Sequence, residues 1–177
     1  MSKHIKIAFT GKFRAGKDTA ASYLTLFYDF QPFALADEGK RVVHQLFPDL
    51  PLTPKPRKYY QVVIDSLTKL DLPGAEEIFV NLTLRKINDY ISHRCCKESR
   101  VLVTDVRKQV EYDRLRAEGF VFIRINADDE LRIKRALEAG DDFTEEDLRH
   151  GTELLVDSFP VDYEVYNNGT ETELYTK

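Results

Sequence analysis

The residues best suited to chemistry lie in one short run, residues 11–19, which reads Gly-Lys-Phe-Arg-Ala-Gly-Lys-Asp-Thr. A Gly-x-x-x-x-Gly-Lys pattern between an apolar strand and a helix is typical of a phosphate-binding loop. Its glycines let the chain turn so that backbone N–H groups point at phosphate oxygens, and Lys17 adds a mobile positive charge for the β- and γ-phosphates. The run therefore predicts a site for a nucleoside triphosphate. Its predicted contacts are Gly11, Arg14, Ala15, Gly16, Lys17, Asp18 and Thr19.

Two aspartates are candidate ligands for a magnesium ion. Asp18 follows Lys17, where this motif usually carries a serine or threonine hydroxyl. A carboxylate can hold Mg²⁺ directly or through water, and its charge near phosphates favours a cation between them. Asp105 follows a short apolar run, a usual place for a carboxylate that orients magnesium. As alternatives, Asp18 is a favourable first-turn acid and Asp105 is the N-cap of the next helix.

Composition restricts the class of protein. The chain has 177 residues, 42% of them hydrophobic and 32% charged, with a formal net charge of −4. These values predict a single compact domain and argue against a nucleic-acid or acidic-membrane binder. No apolar run is long enough to span a membrane, no signal peptide is recognisable, and the adjacent Cys95 and Cys96 form no disulfide framework. A cytoplasmic monomer or homodimer is expected, in a host cytoplasm if a phage encodes it.

Apolar runs and turn residues predict alternating strands and helices. Strands are expected at residues 3–10, 32–36, 101–105, 120–126 and 163–166. One helix is expected directly after the phosphate-binding loop, and a second is expected to begin at Asp37, its predicted N-cap. Three more are expected at residues 57–70, 75–96 and 111–118. Asp128 is expected to cap a further charged helix. This alternation predicts an α/β fold, a parallel sheet of about five strands with helices on both faces.

Several polar residues follow the predicted strands, where ligands of parallel sheets collect. The second strand leads to Asp37, and the third leads to Asp105 and then to Arg107, whose planar fork suits a phosphate. Arg132 and Arg135 lie three residues apart on one helical face. Their segment, about residues 128–150, could close as a lid over the transferring phosphoryl group; a solvated, salt-bridged surface helix is the alternative.

The ordered set of motifs resembles the phage-type deoxynucleoside monophosphate kinases. The phosphate-binding loop with aspartate after lysine, the Asp-Val-Arg-x-x-x-Glu segment at residues 105–111 and Phe-Ala-x-Ala-Asp-x-x-Lys at 33–40 match that family. An Arg-x-x-x-Gln helix start at residues 57–61, His150 with Glu153, and the closing residues 162–169 follow in the same order. Glu38, Gly39 and residues 62–66 depart from the pattern, and the chain lacks the family's tryptophan.

The resemblance implies a P-loop kinase of the nucleoside monophosphate kinase type. Such an enzyme transfers the γ-phosphoryl group of ATP to a deoxynucleoside monophosphate with Mg²⁺ as cofactor. It implies an acceptor-binding helical region at about residues 37–96, and contacts of Asn168 and Gly169 with adenine, although a plain turn would look the same. His150 either closes on the substrate or merely ends a helix. The acceptor contacts implied are Asp37, Lys40, Arg57, Gln61, Arg107, Glu111 and His150.

Two other functions remain open at this point. A small-metabolite kinase of similar architecture, such as a phosphomevalonate or dephospho-coenzyme A kinase, shares the loop and the Asp-x-Arg segment. A nucleotide-binding module that holds ATP without turnover is the second. The conjunction of Arg57, Asp105 and Arg107 with the arginines of the lid argues against it, because a pure binder needs no second phosphate pocket.

Overall fold

The computed structural model describes residues 4–53, 56–94, 98–140 and 155–177, and of Arg57 it describes the backbone. The chain divides into two compact units. The first comprises Met1–Pro32 and Cys96–Lys177, and the second comprises Phe33–Cys95. Most of the sheet belongs to the first unit, whereas the second is mainly helical.

The elements alternate along the chain as expected. In order they are β1 (His4–Thr10), α1 (Lys17–Tyr28), β2 (Gln31–Phe33), α2 (Leu35–Leu46), α3 (Arg57–Thr68), a 3₁₀ turn (Ala75–Glu77), α4 (Ile78–His93), β3 (Ser99–Val103), α5 (Gln109–Ala117), β4 (Val121–Asn126), α6 (Asp129–Glu138), β5 (Tyr163–Tyr166) and α7 (Glu171–Tyr175).

The strands form one five-stranded parallel sheet with the order β2-β3-β1-β4-β5. Ala8 of β1 pairs with Val103 of β3, and Thr10 pairs with Arg124 of β4. Asn126, at the end of β4, pairs with Tyr166, at the end of β5. Because these pairs are parallel, the carboxyl ends of β1, β3, β4 and β5 share one edge of the sheet. The segments that follow these strands are therefore brought together there.

The apolar character of the central strands explains their position. Val101, Leu102 and Val103 of β3 are fully buried, as are Ala8 and nearly all of Phe9 in β1. A strand covered on both faces needs a continuous apolar run rather than an alternating one. One core cluster joins the sheet to α1 and to the phosphate-binding loop: Phe9, Ala15, Ala21, Phe30, Leu102 and Ile125.

A second packed region joins α5 to the segment that leads into β5. The Tyr112 ring stacks on Phe159 with centroids 5.0 Å apart. Asp162 lies beside it, and its carboxylate accepts hydrogen bonds from the Phe122 backbone N–H at 2.7 Å and from Arg116 Nη1 at 2.6 Å. These contacts fix the chain at the start of β5, and so help to fix the residues that follow β5.

In the second unit α2 packs against α3 and α4. Gly39 permits the close approach of α2 and α3, because a Cβ there would lie 2.4 Å from Ile64 Cδ1. The neighbouring Glu38 is buried, and its carboxylate pairs with Lys86 and, at 3.0 Å, with Arg41 Nη2. Glu38 and Gly39 thus have structural roles within this unit, Glu38 in ion pairs and Gly39 in helix packing.

Several predicted boundaries are wrong in an instructive way. The strand expected at 32–36 is only Gln31–Phe33, and α2 begins at Leu35 with Ala34 at the N-cap, so Asp37 lies in the first turn and is not the cap. The alternative in which Asp105 caps α5 is also wrong, because the N-cap of this helix is Lys108. The short α7, capped by Thr170, was not predicted. For the helices, local hydrogen bonds, which residue type does not reveal, decide where each one starts.

Candidate phosphate-binding site

The loop between β1 and α1 has the backbone geometry that its glycines suggest. Gly11 has φ +136° and Gly16 has φ +101°, conformations that L side chains rarely adopt. Space is also lacking at both positions. A Cβ at residue 11 would lie 2.2 Å from the Ile125 carbonyl oxygen, and one at residue 16 would lie 2.1 Å from Asn167 Nδ2. Both glycines are therefore required by the conformation and by the packing of the loop.

Lys17, the first residue of α1, is buried against this loop. Its ammonium group donates to the carbonyl oxygens of Gly11 at 2.7 Å and Lys12 at 2.9 Å. The following helix directs its N-terminal backbone N–H groups and the positive end of its dipole toward the same loop. Ammonium, amide donors and dipole therefore combine at one place, which is the arrangement that binds phosphate oxygens.

Two side chains hold the loop by its carbonyl groups. Arg132 of α6 is 3% exposed, and its Nη1 donates to the Phe13 carbonyl at 2.9 Å. Its Nη2 lies 2.7 Å from Asp129 Oδ1. Asn167, which follows β5, is 5% exposed, and its Nδ2 donates to the Ala15 carbonyl at 2.9 Å. The conformation of the loop thus depends on residues more than a hundred positions away.

Further hydrogen bonds join the segment of α6, which carries Arg132, to the residues after β5, which include Asn167. Arg135 Nη2 donates to the Asn167 carbonyl at 3.0 Å, and Asn168 Oδ1 accepts from the Asp128 backbone N–H at 2.9 Å. Lys12 forms an ion pair with Asp157 at 2.8 Å. Asn167 is the residue that sequence reasoning missed: it lies within the closing segment, residues 162–169, but was not predicted to contact the nucleotide or the loop. No local pattern identifies it, because its contact with the loop depends on the pairing of β4 with β5.

The segment after β3 is joined to β1 and internally capped. The Val106 backbone N–H donates to the Phe9 carbonyl at 3.2 Å, and Thr10 Oγ1 donates to the Val106 carbonyl at 3.2 Å. Glu111 Oε2 accepts from the backbone N–H groups of Arg107 and Lys108, each at 2.9 Å. Glu111 therefore fixes the backbone of the turn that carries Arg107.

The Glu111 carboxyl group is electrostatically perturbed. Burial raises its pKa, and the negative charge of Asp105 raises it further. The two backbone N–H groups act in the opposite direction because they stabilise the carboxylate. The net pKa is above the ordinary value for glutamate, mainly because the carboxyl group is buried.

The donor set suits a magnesium ion that is bound together with a nucleotide. Asp18 is exposed in the first turn of α1, and Asp105 is partly buried after β3. Within the residues that the structure describes, no three His, Cys, Asp or Glu side chains form a dedicated metal cage. Mg²⁺ beside phosphates needs only one or two carboxylates, because phosphate oxygens and water complete its shell. The carboxylates present fit that chemistry.

The residues predicted to bind an acceptor are found in both units. In the second unit Asp37 Oδ1 and Lys40 Nζ pair with each other at 2.6 Å on α2, and Gln61 is exposed on α3. Arg57 begins α3. His150 lies outside the described residues, as does the end of the segment predicted to act as a lid. Arg107 and Glu111 belong to the first unit, where the contacts above place them.

Comparisons with known proteins bear on the fold. The sequence matches no protein-family model and no curated protein. Solved structures similar to this chain include a sugar kinase from Janibacter sp., unliganded, with a TM-score of 0.56 and 14% identity over 99% of this chain and 91% of that one. A gluconokinase from Sinorhizobium meliloti has a TM-score of 0.55 and 14% identity over 97% and 87%. Shikimate kinase from Acinetobacter baumannii, in complex with shikimate, has a TM-score of 0.55 and 12% identity over 99% of this chain and 90% of that one.

These similarities extend over nearly the whole chain at low sequence identity, so they concern the fold. In the described part of the chain, no helix combines the length and apolar character needed to cross a membrane. Taken with the sheet order, the comparisons show that the chain has an α/β fold, with a five-stranded parallel sheet, that is similar to the fold of these kinase structures.

Proposed function

We propose that this protein is an ATP-dependent phosphotransferase whose acceptor is a deoxynucleoside monophosphate. The observation that carries the proposal is the loop between β1 and α1. Its two glycines are held at positive φ, and the ammonium group of Lys17 is buried against its carbonyl groups. A lysine-bearing surface turn would need neither feature.

Phosphoryl transfer requires alignment and positive charge more than covalent help from the protein. An oxygen of the acceptor attacks the γ-phosphorus of ATP, the bond to the bridging oxygen breaks, and ADP leaves. Lys17 would balance charge on the β- and γ-phosphates, while Arg132 and Arg135 of α6 add positive charge beside the loop. A bound Mg²⁺, held through Asp18 and Asp105, would neutralise the phosphate oxygens.

The acceptor assignment is supported by the ordered motifs. We propose acceptor contacts from Asp37, Lys40, Arg57 and Gln61 of the second unit, and from Arg107, Glu111 and His150. We likewise propose that Asn168 and Gly169 border the adenine of ATP. The direct contacts of Glu111 with the Arg107 backbone favour an indirect role for Glu111, in which it orients Arg107.

A second candidate is a kinase for a small polar metabolite. The specific observation in its favour is that the similar solved structures include a gluconokinase and a shikimate kinase. It uses the same phosphate-binding loop and differs in the acceptor only. The two candidates therefore make the same prediction for ATP binding and different predictions for turnover.

An ADP-release assay with a panel of acceptors separates them. The purified chain is incubated with ATP, with and without Mg²⁺, and with each common dNMP and NMP, gluconate, shikimate, phosphomevalonate and dephospho-coenzyme A. Saturable, Mg²⁺-dependent turnover with a deoxynucleoside monophosphate supports the proposal. Turnover with a non-nucleotide acceptor alone supports the second candidate, and ATP binding without transfer to any acceptor identifies a non-catalytic module.

Two substitutions assign the roles within that assay. Lys17→Ala should lower kcat by about 100-fold or more, because a preorganised charge at the reacting phosphates is lost. Arg107→Ala should raise KM for the acceptor by about tenfold and leave KM for ATP nearly unchanged. The exposed Lys69 and Arg85 provide matched controls, Lys69→Ala and Arg85→Ala. Unchanged acceptor kinetics in Arg107→Ala would remove this residue from the acceptor site.

A further inference from the structure

Two peptide groups of the phosphate-binding loop are held from outside by side chains. Arg132 Nη1 binds the Phe13 carbonyl, and Asn167 Nδ2 binds the Ala15 carbonyl, each at 2.9 Å. Both side chains are almost completely buried. The two contacts come from different elements, since Arg132 belongs to α6 and Asn167 follows β5.

Because a peptide group is planar, a contact that holds its carbonyl oxygen also fixes the direction of its N–H. In a planar trans peptide, the C=O of one residue and the N–H of the next point in opposite directions. Fixing the Phe13 carbonyl toward Arg132 directs the Arg14 N–H away from it. Fixing the Ala15 carbonyl toward Asn167 likewise directs the Gly16 N–H away from Asn167. The side chains thereby set the direction of N–H groups that the loop offers to phosphate.

The two side chains are themselves held in place. Asp129 binds the second terminal nitrogen of Arg132, and this contact is the main cause that lowers the pKa of Asp129. The Asn167 backbone N–H donates to the Asn126 carbonyl at 2.7 Å, and the Asn167 carbonyl accepts from Arg135. Both donor side chains are therefore held in place by other residues. Only a donor that is itself fixed can fix the orientation of a loop carbonyl.

We propose that Arg132 and Asn167 are positioning residues that preorganise the phosphate-binding loop by holding the carbonyl groups of Phe13 and Ala15. In this role α6 supports the loop directly, through the contact of Arg132 with the Phe13 carbonyl. The inference rests on the proposed function only in so far as the loop binds phosphate. It assigns to Arg132 an action through the loop, in addition to any contact with the nucleotide.

Hydrogen–deuterium exchange of the nucleotide-free protein tests the proposal without any activity. Arg132→Met and Asn167→Ala should each accelerate amide exchange in residues 11–17 by about tenfold, because a buried carbonyl loses its donor. Exchange in β3 should stay as in the wild type. Direct contact of Arg132 with a phosphate cannot change exchange in a sample without nucleotide.

Matched controls separate this role from a general loss of stability. Lys134→Met changes an exposed residue of the same helix, and Asn88→Ala removes an exposed amide elsewhere; both should leave exchange in residues 11–17 unchanged. Arg132→Lys, which keeps the charge but not the fork, should give an intermediate rate. Wild-type exchange in residues 11–17 of both Arg132→Met and Asn167→Ala would overturn the proposal, as would equal acceleration in β3.

Calorimetric titration with inorganic tripolyphosphate adds a second measurement. The wild type should bind it, and Arg132→Met and Asn167→Ala should each weaken binding by about tenfold, with Lys134→Met unaffected. Unchanged affinity in both variants would overturn the link between loop order and phosphate binding. A wild type that binds tripolyphosphate but phosphorylates no acceptor would contradict the proposed function alone, and leave the positioning role standing.

Discussion

Gly16→Ala gives the sharpest test of the loop geometry, and Gly119→Ala is its matched control. Both glycines have positive φ, +101° at residue 16 and +79° at residue 119. A Cβ at residue 119 would meet no atom within 4 Å, whereas one at residue 16 would lie 2.1 Å from Asn167 Nδ2. The two substitutions therefore share a backbone cost, and only Gly16→Ala adds a steric cost.

The structure allows the two costs to be separated in magnitude. An L residue in the left-handed region loses about 1 kcal/mol relative to glycine. In Gly16→Ala the amide of Asn167 must also retreat beyond hydrogen-bonding distance of the Ala15 carbonyl, which leaves a buried acceptor unpaired at a cost of about 1–3 kcal/mol. We expect a melting temperature about 3 °C lower for Gly119→Ala and roughly 10 °C lower for Gly16→Ala.

The assay is thermal unfolding followed by circular dichroism, without nucleotide. A double variant sharpens it, because Asn167→Ala removes the atoms that a Cβ at residue 16 would meet. In the Asn167→Ala background, Gly16→Ala should cost no more than Gly119→Ala does in the wild type. Equal losses for Gly16→Ala and Gly119→Ala in the wild-type background would refute the packing of Asn167 against the loop.

Three further predictions concern titration and packing. Burial raises the pKa of Glu111, so its contribution to stability is present below the ordinary glutamate pKa of about 4.3 and is lost as the pH rises through the raised value. The difference between the wild-type and Glu111→Gln stability curves, from urea midpoints, should therefore change from about pH 4 upward, and a constant difference would contradict it. The hydrogen bond from the Phe122 backbone N–H lowers the pKa of Asp162. The carboxylate therefore contributes to stability above about pH 3.9, and this contribution is lost as the pH falls. In the same titration, Asp162→Asn should lower the free energy of unfolding by about 1 kcal/mol at neutral pH and by less near pH 2. Leu115→Ala, in the core, should lower the free energy of unfolding by about 2–5 kcal/mol, and the exposed Leu137→Ala by no more than about 0.5 kcal/mol; similar losses would contradict the burial assigned to them.

The sequence predicts strands well where the order of apolar residues is enough to indicate a buried strand. Residues 7–9 of β1 and 101–103 of β3 are contiguous apolar runs, which predict buried central strands, and Ala8, Phe9 and all three β3 residues are buried. The strand at Tyr163–Tyr166 was predicted with its observed bounds. The shorter β2 and the start of α2 were missed, because Ala34 rather than Asp37 occupies the N-cap. Helix ends depend on a few hydrogen bonds whose partners cannot be read from residue type.

The sequence by itself determined the phosphate-binding loop at residues 11–17, because its glycines allow the positive φ and its lysine supplies the ammonium group that such a loop requires. Only the tertiary structure decided what holds that segment. Arg132 and Asn167 are more than a hundred residues from the loop, and parallel pairing of β1 with β4 and of β4 with β5 brings their segments to the same edge of the sheet. A hydrogen bond between distant residues exists only once the strands between them are in register, which is why no local pattern could reveal it.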